Sequence, residues 1–521
     1  MLRTGDAAGK HISPISEPAV MYRLAVLSCL LQCVTLIAAD SPLADAVESK
    51  DRETAVKLLK QNIGLNAAQV DGTTALHWAA YHDDTELGLM LLGAGAKPAP
   101  ENRYGLTPLY SACQNGNVVL VKALLKHGVD PDTSQQGEEA ILTAARTGSA
   151  DIVQALLESG ARVESKDRKN QTVLMWAAAE GHLDVVQLLI REGADIRHQL
   201  DSGFTPILFA VREGHQPVVE ALMKAGVDVN ESVTPKKGRL PKGTTPLSLS
   251  VENGHFELAA SLLQAGADPN EMRTGFSPLH MLSWVRKPGG GDGPDDLPPP
   301  DGTGTMTSLQ FAAVLVKHGA KVNAVTSSGK QHWKGATPFY LAAWTADLAL
   351  MRTLVDLGAD PLLRTADGST ALMAATGIGR TMEAASAGTE REILASSRYL
   401  LKLGVDIDAV NKSGETAMHG AAYKNLPKAV AFLDQQNANV KIWHQRNKRG
   451  STPYLIAAGY RPGNFKPSYD TMAAISKALA RHDMKPTEKP PERIDPYSQK
   501  QDWDKPKPAP KPAPKEKSGA K

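Results

Sequence analysis

A stretch of about 33 residues recurs along this chain of 521 residues, and that recurrence constrains the fold more than any other feature. Residues 203–230 read GFTPILFAVREGHQPVVEALMKAGVDVN, and residues 243–270 read GTTPLSLSVENGHFELAASLLQAGADPN. An earlier copy at 105–133 reads GLTPLYSACQNGNVVLVKALLKHGVDPDT. Self-similarity at a fixed spacing indicates a repeat architecture, in which each copy is one small structural unit.

The threonine of the G-x-T-P-L motif gives a register for aligning the copies. It occurs at Thr74, Thr107, Thr172, Thr205, Thr245, Thr337, Thr370, Thr416 and Thr452, and Glu139 and Ser277 take its place in two further copies. Six of the ten successive spacings are 32 or 33 residues, and the four longer ones mark insertions.

This motif resembles that of the ankyrin-repeat family, whose signature is T-P-L-H-x-A at a period of 33 residues. The resemblance is carried by TTALHWAA at 73–80, LTPLYSAC at 106–113, AEGHLDVVQLLIREGADI at 179–196, FTPILFAV at 204–211 and ATPFYLAA at 336–343. It covers residues 40–484. The resemblance implies an all-α solenoid of about 11 helix-turn-helix repeats with short hairpin-like fingers and helical caps.

Local physical chemistry independently favours short paired helices. A threonine before Pro or Ala predicts a helix start, because its hydroxyl accepts from free N–H groups and proline suits the first turn. Glycines such as Gly116 and Gly181 predict helix ends. The second helix, as in DVVQLLIREG at 184–193, carries its apolar residues on one face. Since neither helix can bury that face alone, neighbouring copies must stack.

Residues 1–39 precede the repeats, and within them residues 21–39 have the layout of a secretory signal peptide. Arg23 is followed by an apolar run over 24–37 and then by small residues ending at Ala39. We expect Met21 to be the true start and the mature chain to be exported, to a bacterial periplasm or to the extracellular space. The alternative is a retained anchor, although a run of about 14 residues is shorter than the roughly 20 that a spanning helix needs.

The repeats are bounded by caps and followed by a tail. Residues 41–62 read as a degenerate first copy, and 469–484 read as a closing helix. Such arrays are expected to end in capping copies with a polar outer face. Residues 485–521 are rich in Lys and Pro, which predicts an extended, disordered tail. Ten Lys/Arg against six Asp/Glu give this tail a net charge of +4.

The sequence carries no sign of catalytic chemistry. It lacks metalloprotease, nucleophile-elbow and phosphate-loop motifs, so we expect no catalytic, cofactor-binding or metal-binding residues. His77, His280 and His419 recur with the repeat, which favours structural hydrogen bonding over metal binding. DGPDD at 292–296 lacks the pattern of a calcium loop. Cys113 stands where other copies have Ala or Val, which predicts a small core residue.

Insertions are informative because they map to loops, often on a binding face. Residues 286–306 and 377–390 separate the two helices of a copy. Three further insertions lie between copies, at 232–243, 326–335 and 441–450, and all three are basic. The resemblance places these three in the fingers beside the concave face of the solenoid.

Two sets of residues are candidates for partner binding. The finger set is Tyr104, Phe204, Lys236, Lys237, Arg239, Phe276, Trp333, Lys334, Arg446 and Arg449. The first-helix set, just past the small residue pair of each copy, is Tyr81, His82, Gln114, Asn115, Arg146, Arg212, Trp344 and Tyr423. Tyr, Trp and Arg dominate binding hot spots, but solvated charge and ordinary packing between copies are the alternatives. We interpret Trp78 and Trp176 as core residues and Trp443 as a finger aromatic.

The prediction is a non-enzymatic scaffold that binds a protein partner through the concave face and the basic, aromatic fingers. The partner is expected to present an acidic surface, and the tail is a candidate contact with an anionic envelope surface. The near-balanced formal charge of +2 argues against specific nucleic-acid binding, and no transmembrane span is expected in the mature chain. Two alternatives stay open: an accessory or enzymatic factor with a small-molecule site near the 286–306 insertion, and a structural spacer.

Overall fold

The computed structural model describes residues 41–135, 138–238, 240–288, 300–327, 333–379, 388–461, 466–487 and 489. The predicted signal peptide, Arg239 and nearly all of the 485–521 tail lie outside the described residues. The backbone divides into two compact units. Unit 1 runs to Val227 and includes Lys236–Gly238, and unit 2 comprises Asp228–Pro235 and the chain from residue 239 onward.

Unit 1 is built from pairs of short helices joined by tight turns. The pairs are α1 (Pro42–Glu48) with α2 (Arg52–Lys60), α3 (Ala75–Tyr81) with α4 (Thr85–Gly93), α5 (Pro108–Gln114) with α6 (Val118–Lys126), α7 (Ala140–Thr147) with α8 (Ala150–Glu158), α9 (Val173–Ala179) with α10 (Leu183–Arg191), and α11 (Pro206–Glu213) with α12 (Gln216–Lys224). The first helices of successive pairs pack side by side, and from α4 onward so do the second helices.

Unit 2 repeats the same arrangement. Its pairs are α13 (Pro246–Glu252) with α14 (Phe256–Gln264), α15 (Pro278–Arg286) with α16 (Ser308–Lys317), α17 (Pro338–Trp344) with α18 (Leu348–Asp356), α19 (Ala371–Thr376) with α20 (Glu390–Lys402), α21 (Ala417–Tyr423) with α22 (Pro427–Gln435), and α24 (Pro453–Ala457) with α25 (Tyr469–Ala480), while α23 (Val440–Trp443) is a single turn. Packing of α15 on α17 and of α16 on α18 shows that stacking continues past the 286–306 insertion. The predicted solenoid of paired helices is confirmed.

The register threonines begin the first helices, as their chemistry predicts. The Thr107 hydroxyl accepts a hydrogen bond from the Tyr110 N–H at 3.2 Å, and the Thr337 hydroxyl accepts one from the Tyr340 N–H at 3.1 Å. Proline occupies the first turn of both helices. Helices of seven to nine residues are too short to persist alone in water, so packing between copies must stabilise them.

Small residues let neighbouring helices approach closely. The alanine pairs of the repeat, such as Ala79 with Ala80 and Ala342 with Ala343, are fully buried. In unit 1, His182 packs over Gly148, where a Cβ would lie 2.5 Å from the imidazole ring, and its Nε2–H donates to the Arg146 carbonyl at 2.9 Å. The recurring G-H motif therefore joins one copy to the end of the preceding first helix.

The fingers are joined to one another through the backbone. Strands β1 (Ser134–Gln135) and β2 (Glu138–Glu139) form a two-residue antiparallel hairpin in unit 1. In unit 2, the Ala366 N–H donates to the Lys334 carbonyl at 2.8 Å, and the Lys412 N–H donates to the Asp367 carbonyl at 2.7 Å. These bonds fix each finger against the next, so the finger side chains are held on a firm support.

The described end of the 286–306 insertion returns to the copy before it. The Thr303 N–H donates to His255 Nδ1 at 3.0 Å, and the N–H groups of Thr305 and Met306 donate to the Glu257 carboxylate. Burial alone would raise the pKa of Glu257, but these N–H donors outweigh it and lower the pKa. The insertion is thus anchored on α14 by charge-assisted hydrogen bonds.

Two sequence interpretations of buried residues have opposite outcomes. Cys113 is fully buried, as predicted, and burial raises the pKa of its thiol, so the residue is a packing element. The interpretation of Trp443 as a finger aromatic was wrong. Its side chain is 1% exposed because the extra turn α23 directs it into the core, where its indole N–H donates to the Ala438 carbonyl at 3.3 Å. Among the described residues, no helix has the length and hydropathy needed to cross a bilayer.

Candidate interaction surfaces

Helical geometry places three positions of each copy on one face of the first helix. They are the fourth, seventh and eighth residues after the register residue. These side chains share one face because residues three or four apart are neighbours on a helix. In α3 and at its C-cap they are Trp78, Tyr81 and His82, and the sequence analysis assigned Trp78 to the core and the other two to partner contact. We call the side chains at these positions in unit 1, together with Phe204, the unit 1 face.

The unit 1 face begins with a stacked aromatic group. Trp78 stacks on His82 with ring centroids 5.6 Å apart, and the Tyr81 ring meets Trp78 edge-on at 5.6 Å. Tyr81 is 58% exposed. The interpretation of Trp78 as a core residue was wrong, since the ring is half-buried on this face and its indole N–H donates to the Gln69 side chain at 2.8 Å.

Arginines over aromatic rings extend this face along unit 1. The Arg146 guanidinium lies 5.3 Å from the Trp176 ring and also pairs with Glu138 at 2.9 Å. Arg212 lies 5.2 Å from the Phe204 ring. Trp176 is half-buried beneath Arg146, so its interpretation as a core residue was also wrong. Cation–π contacts of this kind hold both partners in place while leaving the guanidinium edges in water.

The remaining candidates of unit 1 are exposed, but they differ in how they are held. Gln114 is exposed at the end of α5. The Asn115 side chain donates to the Ala80 and Tyr81 carbonyls at 2.9 and 3.0 Å, so it joins two copies. Tyr104 is 53% exposed, with the Arg103 guanidinium 4.9 Å from its ring centroid.

In unit 2, by contrast, four aromatic rings line a cavity of about 310 Å³ that is partly open to solvent. We call it the aromatic pocket, and it is lined by Phe276, Ser283, Trp284, Pro288, Trp333, Leu341, Trp344 and Thr345. Each ring stands nearly perpendicular to the next. The centroid distances are 5.1 Å from Trp284 to Phe276, 6.1 Å from Phe276 to Trp333, and 5.1 Å from Trp333 to Trp344.

The pocket brings together three predicted residues and one that sequence reasoning missed. Phe276, Trp333 and Trp344 were candidates on separate fingers and helices, and Trp284 was not. Trp284 follows Ser277 by seven residues, as Trp344 follows Thr337. This shared register was the available signal. It was overlooked because this copy has Leu282 and Ser283 where most copies have a small pair.

Trp344 and Tyr423 lie on the predicted helix face but are not free contacts. Trp344 is 8% exposed and belongs to a buried cluster with Ala336, Tyr340, Leu341 and Ala374. Tyr423 is half-buried, and its hydroxyl donates to the Glu415 carboxylate at 3.0 Å. Burial and the nearby Glu415 carboxylate raise the pKa of Tyr423. These two side chains therefore stabilise unit 2 from within.

The basic finger residues are exposed but partly engaged. In unit 1, the Lys236 and Lys237 ammonium groups lie 3.5 and 3.8 Å from the Asp201 carboxylate. In unit 2, Lys334 and Arg449 are exposed, and Arg446 donates to the Gly450 and Lys489 carbonyls. A basic rim is thus present on the fingers of each unit, although nearby groups already satisfy part of it.

The histidines of the T-P-L-H motif, which follow the register residue by three positions, are structural hydrogen-bonding groups. His280 Nδ1 accepts from the Ser277 N–H at 3.2 Å, so Nε2 carries the proton and donates to the Ala336 carbonyl at 3.1 Å. Burial lowers the pKa of His280 and of His419 to about 4, and it also lowers the pKa of His77. Within the described part of the chain, no cluster of His, Cys, Asp or Glu side chains could hold a metal ion.

Comparison with known protein families agrees with this architecture. A family model described as ankyrin repeats (3 copies) matches residues 76–167, 164–233 and 339–442. A single-repeat model of the same family matches residues 242–273, in the first pair of unit 2.

Among curated proteins, the chain is similar to the mouse transient receptor potential cation channel subfamily V member 5, with 31% identity over 155 residues, 26% of this chain and 21% of that protein. It is 33% identical over 116 residues to the mouse B-cell lymphoma 3 protein homolog, covering 22% of this chain and 26% of that protein. A match at 28% identity to the protein SAT10 of the fungus Stachybotrys chartarum covers 26% of this chain and 7% of that protein. These matches span about a quarter or less of each relative's length.

Among solved structures, the human ASB11 ankyrin repeat domain matches with 23% identity and a TM-score of 0.39. The match covers 44% of this chain and 99% of that domain.

Proposed function

The chain belongs to the ankyrin-repeat family, and on that premise we propose that it is a non-enzymatic scaffold whose unit 1 face binds a protein partner. Repeats of this family generally mediate protein–protein interactions. The proposal rests on one observation: Tyr81 is 58% exposed, yet its ring is fixed against Trp78 and His82. A large aromatic side chain held rigidly in solvent loses little entropy on binding and is the residue type that dominates hot spots.

Site-specific photocrosslinking tests this proposal. A photoreactive phenylalanine replaces Tyr81 in one variant and Val119 in another, because Val119 is 55% exposed on the second helix of a neighbouring copy. We expect a discrete crosslinked protein from position 81 that excess unlabelled chain displaces, and no such product from position 119. Equal products at both positions, or none at either, would support the structural-spacer alternative.

We also propose that the partner presents acidic groups to the basic fingers. Lys236, Lys237, Lys334, Arg446 and Arg449 supply the exposed charge that supports this. The double variant Lys236→Glu, Lys237→Glu places acidic groups beside Asp201 and should slow association most at low salt. An association rate that does not change with this substitution at low salt would contradict an acidic partner.

Export remains a separate proposal, based on the signal-like pattern of residues 21–39. The relatives named above come from mouse and a fungus and give no support to a bacterial source. N-terminal sequencing of the mature chain should find Asp40 first if the leader is cleaved. The +4 tail is proposed to contact an anionic surface, and deletion of residues 485–521 should then weaken binding to anionic vesicles.

The small-molecule alternative gains support from the aromatic pocket. Pro288, at the start of the 286–306 insertion, lines the cavity. Cavities that bind small ligands begin at about 300 Å³. This observation concerns unit 2 alone and leads to a separate inference.

A further inference from the structure

Four aromatic rings form most of the lining of the aromatic pocket. Trp284, Phe276, Trp333 and Trp344 form a series in which successive interplanar angles are 84°, 81° and 90°. Each neighbouring pair is in edge-to-face contact, and all four rings line the same cavity. The face of an aromatic ring carries negative potential, so a cavity lined by four aromatic rings favours a cation.

The composition of the lining selects the kind of cation. None of the eight described residues that line the cavity carries a carboxylate or any other charge. A primary ammonium would lose its hydration here without gaining acceptors for its three N–H groups. A quaternary ammonium has no N–H group, so it needs only ring faces and apolar contact. The pocket thus suits a trimethylammonium head group.

One polar group in the lining suggests what else the ligand carries. Ser283 is 1% exposed, and its hydroxyl has no hydrogen-bond partner among the described residues. A buried hydroxyl without a partner is costly, and a ligand hydroxyl within reach would satisfy it. A small compound that carries both a trimethylammonium group and a hydroxyl, as choline does, meets both requirements.

The charges closest along the chain do not oppose a cation. Arg286 is neutralised by Asp347 at 2.6 Å, and Lys287 pairs with Glu392 at 2.9 Å. These ion pairs also tie the segment that includes Pro288 to later copies, which fixes that wall before any ligand binds. Lys334, next to Trp333, is exposed, so water and salt screen its charge.

We propose that the aromatic pocket of unit 2 is a binding site for a small free quaternary ammonium compound of the choline class. This site is independent of the protein-binding function proposed for unit 1. The trimethylammonium group contacts the Trp and Phe faces, and the hydroxyl of the compound hydrogen-bonds to Ser283 Oγ.

Calorimetric titration of the full chain tests the charge requirement. The probes are choline and its neutral carbon isostere, 3,3-dimethylbutan-1-ol. We expect choline to bind about 10-fold more tightly, because desolvated cation–π contacts supply that difference. Equal affinities, or no binding of choline, would overturn the proposal.

Variants of the lining test the assignment of residues. Trp284→Leu should weaken choline binding about 10-fold, and Trp284→Phe should retain most of it, because only the second keeps a ring face. Tyr469→Leu changes an exposed ring of α25 that is not part of the lining, so it is the control and should leave binding unchanged. Ser283→Ala should weaken choline several-fold and leave tetramethylammonium unchanged. Loss of binding in the Tyr469 control, or equal loss for both probes in Ser283→Ala, would contradict the assignment.

Two further measurements are needed. One distinguishes a free compound from other sources of the trimethylammonium group, and the other distinguishes this site from the protein-binding function proposed for unit 1. A trimethyllysine peptide or phosphatidylcholine vesicles binding about 10-fold more tightly than choline would overturn a small free ligand as the occupant. Lys334→Glu should tighten choline binding a few-fold at low salt, whereas it should weaken an acidic protein partner. Choline binding can therefore fail while crosslinking at position 81 succeeds, and the reverse.

Discussion

The two units use the same helix position for opposite purposes. Seven residues after the register residue, unit 1 has Tyr81 and Arg146 on an open face, whereas unit 2 has Trp284 and Trp344 in the wall of a pocket. The difference comes from the fingers, because Phe276 and Trp333 fold over the helix face in unit 2. One repeat architecture thus supplies either an open face or a pocket, and large finger side chains determine which.

Truncation of the equivalent ring in each unit should show the largest difference. Trp344→Ala removes an almost fully buried indole from the unit 2 cluster and should cost about 3–5 kcal/mol of unfolding free energy. Tyr81→Ala removes a ring that is 58% exposed and should cost no more than about 1 kcal/mol. Chemical denaturation of both variants checks this. Similar losses would mean that Tyr81 is a core residue and would remove the contrast between the units.

Acid should destabilise unit 2 through its buried histidines. His280 has a pKa of about 4 in the folded chain, against about 6.5 when unfolded. The unfolded state therefore binds more protons between these values, so stability falls as pH drops from 6.5 to 4 and is unaffected by this residue above that window. The loss is about 3 kcal/mol near pH 4.

Hydrogen exchange of unit 2 peptides, compared between wild type and His280→Asn, measures this effect. We expect the variant to lose less stability on acidification than the wild type does. Identical pH dependence in the two proteins would show that His280 is not held neutral by burial.

A matched pair of register threonines tests how firmly helices begin in each unit. The Thr337 hydroxyl in unit 2 accepts from a backbone N–H, whereas the Thr205 hydroxyl in unit 1 is buried without a hydrogen-bond partner among the described residues. Thr337→Val should cost about 1 kcal/mol, and Thr205→Val should be neutral or stabilising. Thermal unfolding compares the two variants. A larger loss of stability in Thr205→Val than in Thr337→Val would show that the hydrogen bonding of the two hydroxyls is wrongly assigned.

The smallest effect concerns the finger charges. Lys236 is exposed and lies 3.5 Å from Asp201, so Lys236→Ala should change the unfolding free energy by less than about 0.5 kcal/mol. Lys287 in unit 2 is less exposed and donates to Glu392 at 2.9 Å, so Lys287→Ala should cost more, about 1 kcal/mol. Salt titration of both variants checks the difference. An equal response would mean that the Lys287 pair is as weak as the surface pair.

Sequence reasoning reached the fold because repeat physics is local. The capping by Thr107, the proline in the first turn and the glycine at the helix end each act within a few residues. The sequence interpretation failed where contacts between residues far apart in the chain determine how deeply a side chain is buried. Trp443 enters the core through an extra turn, and Trp78 is only half-buried although it lies inside the motif.

The candidate site was only partly accessible from sequence for the same reason. Phe276, Trp333 and Trp344 were singled out by residue type, but nothing in their spacing showed that their rings meet at right angles. Trp284 could have been found from its register. The ion pairs that fix the pocket wall join Lys287 to Glu392, residues from copies that are not adjacent in sequence.

The period, the pairing of short helices and the face of each first helix follow from the amino-acid sequence alone, because backbone capping and helical spacing are set by near neighbours. Whether that face stays open or closes into a pocket became clear only from the packing of the folded chain. Closure depends on which side chains a finger brings over the helix and on contacts between copies. The distances between these side chains are set by the packing of the copies and not by separation along the chain.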